Sequence, residues 1–333
     1  MISSMILSYL KIFKNPRKKN IFLFCVKLAI SIPLTWWVLK SVDIGDSAER
    51  IQDIDFGWSL AALACFIFII LLGGLRWYIF YNALSQTAPL HFLLSTNFIA
   101  TFLGQILPAG IGSDAARIWF LSRREKKLGN SISSVILDRL AGVASLLILI
   151  AIFIPVLFSY VSNEEARYAI TILLIFGGLG LVFLFFLACI PNHFKHFKLM
   201  ASLASHISVA RKEGLSLRPV LLSLILSLFL HLMAILVVKL LANSIGLEID
   251  FIICLALIPA VMLIATLPIS LAGWGIREGA MVTAFAYVGM VPSDALALSV
   301  LFGLITIVAS MPGMFIWLIQ GKLKKLYSGK NTY

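Results

Sequence analysis

Apolar residues in this chain gather into runs of membrane-crossing length, separated by short polar loops. Ile21 to Leu39, Trp58 to Phe80, Ser131 to Phe158, Tyr168 to Ile190, Pro219 to Ala242 and Ala295 to Leu318 each supply the roughly 20 residues that a helix needs to cross hydrocarbon. Six full spans are therefore expected. Two further apolar segments, Pro89 to Leu107 and Phe251 to Thr266, run into helix breakers in place of a polar loop. The first continues as LPAGIGSD, with Pro108, Gly110 and Gly112, and the second as LPISLAGWGIREG, with Pro268, Gly273 and Gly275. Proline removes a helical donor, glycine favours irregular backbone, and lipid cannot satisfy the peptide groups so released. Protein or water must surround both breaks.

The basic residues orient these segments. Lys11, Lys14 and Arg17 to Lys19 precede the first run, and the loop after it holds Asp43, Asp46, Glu49, Asp53 and Asp55 against Lys40 and Arg50. The positive-inside bias then puts the N-terminus in the cytoplasm. Were Pro89 to Leu107 a full crossing, Arg117, Arg123, Arg124, Lys126 and Lys127 would lie outside. A hairpin entering and leaving on the cytoplasmic side avoids that, and Ser113 or Asp114 is expected to cap its returning limb. By the same rule the loop with Glu164, Glu165 and Arg167 is external, and the loop with Lys195, Lys198, Arg211, Lys212 and Arg218 is internal. The second hairpin then dips in from outside, and the tail with Lys322, Lys324 and Lys325 is cytoplasmic.

The fold expected is an all-α polytopic bundle of about six spans plus two re-entrant hairpins. Its halves, about 21–160 and 168–318, each read span, span, hairpin, span in opposite orientation, the inverted-repeat plan of secondary transporters. Residues 1–20 form an interfacial amphipathic basic helix that contacts anionic inner-leaflet lipid, 21–319 a single transmembrane domain, and 320–333 a basic tail. The run after the first helix is span length with no small-residue cleavage site, which speaks against a removable signal.

Composition excludes several classes. With 61% hydrophobic residues the chain is no soluble globule, and its mean hydropathy is +1.02. The net charge of +12 comes from loop clusters, which orientation bias explains without nucleic acid. The four cysteines, Cys25, Cys65, Cys189 and Cys254, have neither disulfide nor zinc spacing, and no Walker lysine follows Gly177, Gly178 and Gly180, which are read as close helix packing. No metal, cofactor or nucleotide is expected. His231 reads as a hydrogen-bonded core residue, and His193 and His196 as a solvated loop.

Arg277 and Glu278 follow the second break directly. Each costs about 2.5 to 3.5 kcal/mol at mid-bilayer, so an intramembrane charged pair reads as functional unless its members only neutralise one another. Together with Arg76 and Trp77, the LPAGIGSD stretch with Arg117, Asp138 and Arg139 before Gly142, and LPISLAGWGIREG, the pair makes the chain resemble the transmembrane, flippase-like region of lysylphosphatidylglycerol synthases. The likeness covers most of the chain. In bifunctional members this region is described as moving an aminoacylated lipid that a separate cytosolic domain makes. The chain stops soon after its last span, so the resemblance implies the translocating part alone. One departure is Ser113–Asp114, where a glycine and an acid are expected.

A flippase must carry a polar headgroup through an apolar slab. Helix N-termini at the two breaks present free N–H groups suited to a phosphate, and Arg76, Arg117, Arg139 and Arg277 supply forked donors. Asp114, Asp138 and Glu278 either neutralise these arginines when the site is empty or bind a headgroup amine. The expected ligand is thus a phosphate-bearing membrane lipid, aminoacylated or polyprenyl-linked, in the cytoplasmic membrane, with a homo-oligomer or an envelope-biosynthesis partner as further possibilities. Structural roles compete. Asp138 and Arg139 point about 100° apart on a helix and suit two independent bridges, and Arg76 suits snorkelling to the interface. The rival function is a membrane glycosyl- or headgroup-transferase built on the Asp53–Ile54–Asp55 pattern; a third is a non-transporting partner subunit.

Overall fold

The computed structural model describes residues 54–84, 88–106, 111–125, 128–187, 216–266 and 274–328, and all regular structure among them is helical. The first apolar run, residues 1–20, Asp53 and most of the long basic loop lie outside the described residues, as do 329–333 of the expected 320–333 tail, whose earlier part is not a separate tail but continues the last helix to Ser328. Nine helices are described: α1 (Phe56–Ala83), α2 (Leu90–Ile106), α3 (Ile111–Glu125), α4 (Leu128–Tyr160), α5 (Glu164–Leu187), α6 (Leu217–Ser244), α7 (Phe251–Ala265), α8 (Ile276–Ala286) and α9 (Pro292–Ser328). Of these, α1, α4, α6 and α9 are long and apolar enough to cross a bilayer, while α7 and the apolar part of α5 are shorter.

Local chemistry sets the helix ends. Asp55 opens α1 by accepting from the backbone N–H of Gly57 at 2.7 Å and of Trp58 at 3.2 Å, so this member of the acidic pattern serves as a helix cap. Gly246, at φ +70°, closes α6: its N–H reaches the Asn243 carbonyl and that of Leu247 reaches Ala242, the paired bonds of a Schellman end. Two expectations need correction. Glu164 and Glu165 form the first turn of α5, where a helix N-terminus favours negative charge, and are not part of an extended loop. Arg167 reaches back instead, donating to the carbonyls of Val161 at 2.6 Å and Phe158 at 2.5 Å and so closing α4. Ser113 and Asp114 lie inside the first turn of α3, not before it, and their side chains turn to another helix.

α2 and α3 fold back on one another, as do α7 and α8. Gly104 lies against Ser113 near one end of the first pair, and the Arg124 guanidinium sits 4.7 Å from the Phe92 ring at the other, which makes the limbs antiparallel. The packing follows a simple plan. α1 lies along α6; α2 also packs on α1 and α9, and α7 on α6 and α4; α3 packs on α4, and α8 on α9; α1 and α6 each touch both α4 and α9. Exchanging α1–α4 for α6–α9 leaves this set of partners unchanged. α1 and α6 run antiparallel, because the Asp55 N–H at the start of one donates to the Ser244 carbonyl at the end of the other, at 2.8 Å.

Many large apolar side chains are exposed on this bundle. Ile172, Ile175, Phe176 and Leu179 on α5, Leu221, Leu222 and Ile225 on α6, and Phe315 and Leu318 on α9 face outward. Such a surface suits lipid and not water. Since lipid is as apolar as leucine, helix association there depends on close approach at small residues. Gly74 meets Leu94 and Asn97 of α2, and Gly177 of α5 meets Leu147. Gly178 and Gly180 have open space around them, so of the three glycines read as packing sites only Gly177 is one.

Candidate functional site

Between its helices the bundle holds an open cavity of about 430 Å³, and Arg76, Arg117, Arg139 and Arg277 all line it. They arrive from four helices, α1, α3, α4 and α8. Polar neighbours on the wall are Asn97, Thr101 and Gln105 of α2, with Ser113, His231, Thr266 and Thr306.

Asp138 anchors one side. Its carboxylate is fully buried, accepting from Arg76 Nε at 2.7 Å and Nη2 at 3.1 Å, and from Arg117 Nη1 at 2.8 Å. Arg76 also donates to Ser227 Oγ on α6 at 3.0 Å, so it is held in the bundle and does not snorkel outward. Trp77 donates its indole N–H to Ser134 Oγ at 3.1 Å, and the Arg117 guanidinium carbon lies 5.4 Å from a Trp77 ring centroid. Arg139, one residue on, faces elsewhere: its Nε donates to Asp114 at 2.8 and 3.0 Å, and its Nη2 to Ser113 Oγ at 3.2 Å. The adjacent charges of α4 are thus two separate bridges, as their angular separation implies.

The second hairpin brings a matching group. Gly275, at φ +84°, precedes α8, and its N–H donates to Glu278 Oε2 at 2.5 Å. Arg277 Nη2 donates to Glu278 Oε1 at 2.6 Å and its Nε to Ser299 Oγ of α9 at 3.2 Å. The guanidinium also stacks 4.8 Å from Trp274 and 5.8 Å from Phe302. In each half, then, an acid in the first turn of the returning limb is tied to the next long helix, Asp114 through Arg139 and Glu278 through Ser299. Gly303 of α9 makes room for this: a Cβ there would sit 2.5 Å from Arg277 Nη2 and 2.8 Å from Trp274. Gly303→Ala is expected to cost about 1–3 kcal/mol through overpacking. Gly178→Ala, facing open space, is the control; equal thermal midpoints for the two in detergent would remove the crowding argument.

All seven predicted charged residues therefore meet at one cavity or directly behind it. Of the predicted backbone positions, Gly112 is buried in the first turn of α3 and Gly275 precedes α8, while Pro108, Gly110, Pro268 and Gly273 lie outside the described residues. His231 lines the cavity and donates from Nε2 to the Gly142 carbonyl at 3.2 Å. Sequence reasoning missed Asn97, Thr101 and Gln105, although their spacing of four marks one polar stripe on an apolar helix. It also missed Ser227 and Ser299. Two polar atoms here are buried without a hydrogen-bond partner among the described residues, Arg117 Nε and Asn97 Oδ1. The Asn97 amide nitrogen is committed to the Ile70 carbonyl at 2.7 Å, which fixes its oxygen as the unpaired end.

A helical bundle with apolar outer faces around an arginine-lined cavity defines a polytopic membrane protein. The family model of the lysylphosphatidylglycerol synthase TM region matches residues 24–313, and the chain belongs to that family. No curated protein matches the chain.

Proposed function

We propose that the protein is a lipid translocase of the cytoplasmic membrane, moving a phosphate-bearing headgroup through the arginine-lined cavity between its hairpins. The observation that carries this reading is the convergence of four guanidiniums from four helices on one cavity. A buried ion cluster is weak evidence for stability, because desolvation of the charges offsets their attraction and apolar residues of like volume pack as well. Binding an anion accounts for the cluster better. Guanidinium forks match phosphate oxygens in geometry, and Arg117 Nε is a buried donor with no hydrogen-bond partner among the described residues.

In this reading the two hairpins are re-entrant, inserted from opposite faces, and the halves form an inverted repeat. The exchangeable packing partners and the antiparallel α1 and α6 support it. Substrate bound between such repeats reaches either face as one half rocks against the other. Acyl tails remain in lipid throughout. The N- and C-termini are cytoplasmic, and the basic loops hold the anionic inner leaflet.

The test is translocation of a fluorescent phospholipid by purified protein in reconstituted vesicles. Arg139→Ala and Arg277→Ala are each expected to slow it about tenfold or more, the worth of a charge-assisted hydrogen bond. Full activity in both variants, with normal folding, would refute the assignment.

A further inference from the structure

Resting on the reading just given, we infer that this cavity selects an acidic phospholipid with an uncharged, hydroxylated headgroup and discriminates against aminoacylated, cationic headgroups. The wall itself carries the argument. Four arginines line the cavity, and no aspartate or glutamate is among the described residues that do so. The partner carboxylates stand behind the guanidiniums: Asp138 is fully buried, Glu278 is 3% exposed, and Asp114 is engaged at both oxygens by Arg139. Asp138 and Glu278 thus face arginines in the interior, and Asp114, its side chain 21% exposed, is taken up by Arg139 and is not among the described residues that line the cavity.

The charge balance points the same way. Four guanidiniums against three carboxylates leave one positive charge, because Arg76 and Arg117 share Asp138. A phosphodiester monoanion neutralises that surplus. An added lysyl group would bring positive charge into a site of low dielectric that already holds guanidiniums, where like charges repel strongly. The neutral wall residues suit hydroxyls: Asn97 Oδ1 is an acceptor without a partner among the described residues, and Thr101 and Gln105 follow it along α2.

Binding tests this apart from transport. Purified protein in neutral detergent at low ionic strength is titrated with dioctanoyl phosphatidylglycerol, its lysyl ester, and the deacylated glycerophosphoglycerol. The first is expected to bind at least tenfold more tightly than the second. Equal or tighter binding of the lysyl ester would overturn the inference, and equal binding of the deacylated compound would show that a soluble phosphodiester, not a lipid, is selected. Gln105→Glu, which places one carboxylate on the wall with almost no change of shape, is expected to narrow the preference at least threefold; an unchanged ratio would move the selecting site elsewhere. The two readings fail separately. Selective binding without translocation refutes the translocase alone, and translocation with equal affinities refutes the selectivity alone.

Discussion

Asp138→Asn is expected to be the most damaging single substitution in the described residues. The side chain keeps its shape but loses the charge on which Arg76 and Arg117 both depend, at 2.7 and 2.8 Å. Its site is fully buried, so water cannot replace the carboxylate. Breaking a buried ion cluster by removing one partner costs about 3–5 kcal/mol, much of it the desolvated charge left behind. In practice the variant should accumulate poorly and lose its folded peak on size exclusion at temperatures the parent tolerates. Adding Arg117→Gln should restore part of the loss, because one stranded cation goes with it and residues sharing a partner are not additive. A variant as heat-stable as the parent would show that the triad is not what holds α1, α3 and α4 together.

Gly313→Ala comes second. A Cβ at this position of α9 would run into the backbone carbonyl of Phe98 on α2, closer than real contacts allow, and would stand 2.9 Å from the Ile99 nitrogen. Backbone cannot rotate aside as a side chain can, so the two helices must separate. The cost should reach the upper part of the usual overpacking range, about 3 kcal/mol, read as a fall in thermal midpoint. The proposed translocation should fall as well, because α2 carries Asn97, Thr101 and Gln105 on the cavity wall. An unaltered midpoint would mean that the contact relaxes at no cost.

How far the sequence foretold this varies with the kind of interaction. Span limits were close, with Trp58 to Phe80 inside the helix Phe56–Ala83 and Pro219 to Ala242 inside Leu217–Ser244, because long apolar runs have few alternatives in lipid. The charged site residues were legible for the same reason: a charge in an apolar run stands out. Their pairing was less so. Arg277 bonds its neighbour Glu278, whereas Arg139 passes over its neighbour Asp138 for Asp114, and only the angles imposed by helix packing decide between such outcomes. Neutral partners buried behind the wall were harder still, since a lone serine in a span costs little and carries no signal until a second helix is placed beside it. Ser227 and Ser299 are instances, each meeting a guanidinium from a distant part of the chain.

The two carboxylates at the starts of the returning limbs differ in one respect that bears on motion. Glu278 and Arg277 belong to the same turn, so α8 carries both wherever it goes. Asp114 and Arg139 belong to different helices, and any slide of α3 against α4 must part them. In the transport cycle proposed above, Arg277 would keep its counterion through any shift of α8, while releasing the Asp114–Arg139 latch would bare a guanidinium just as an incoming anion takes the vacated place.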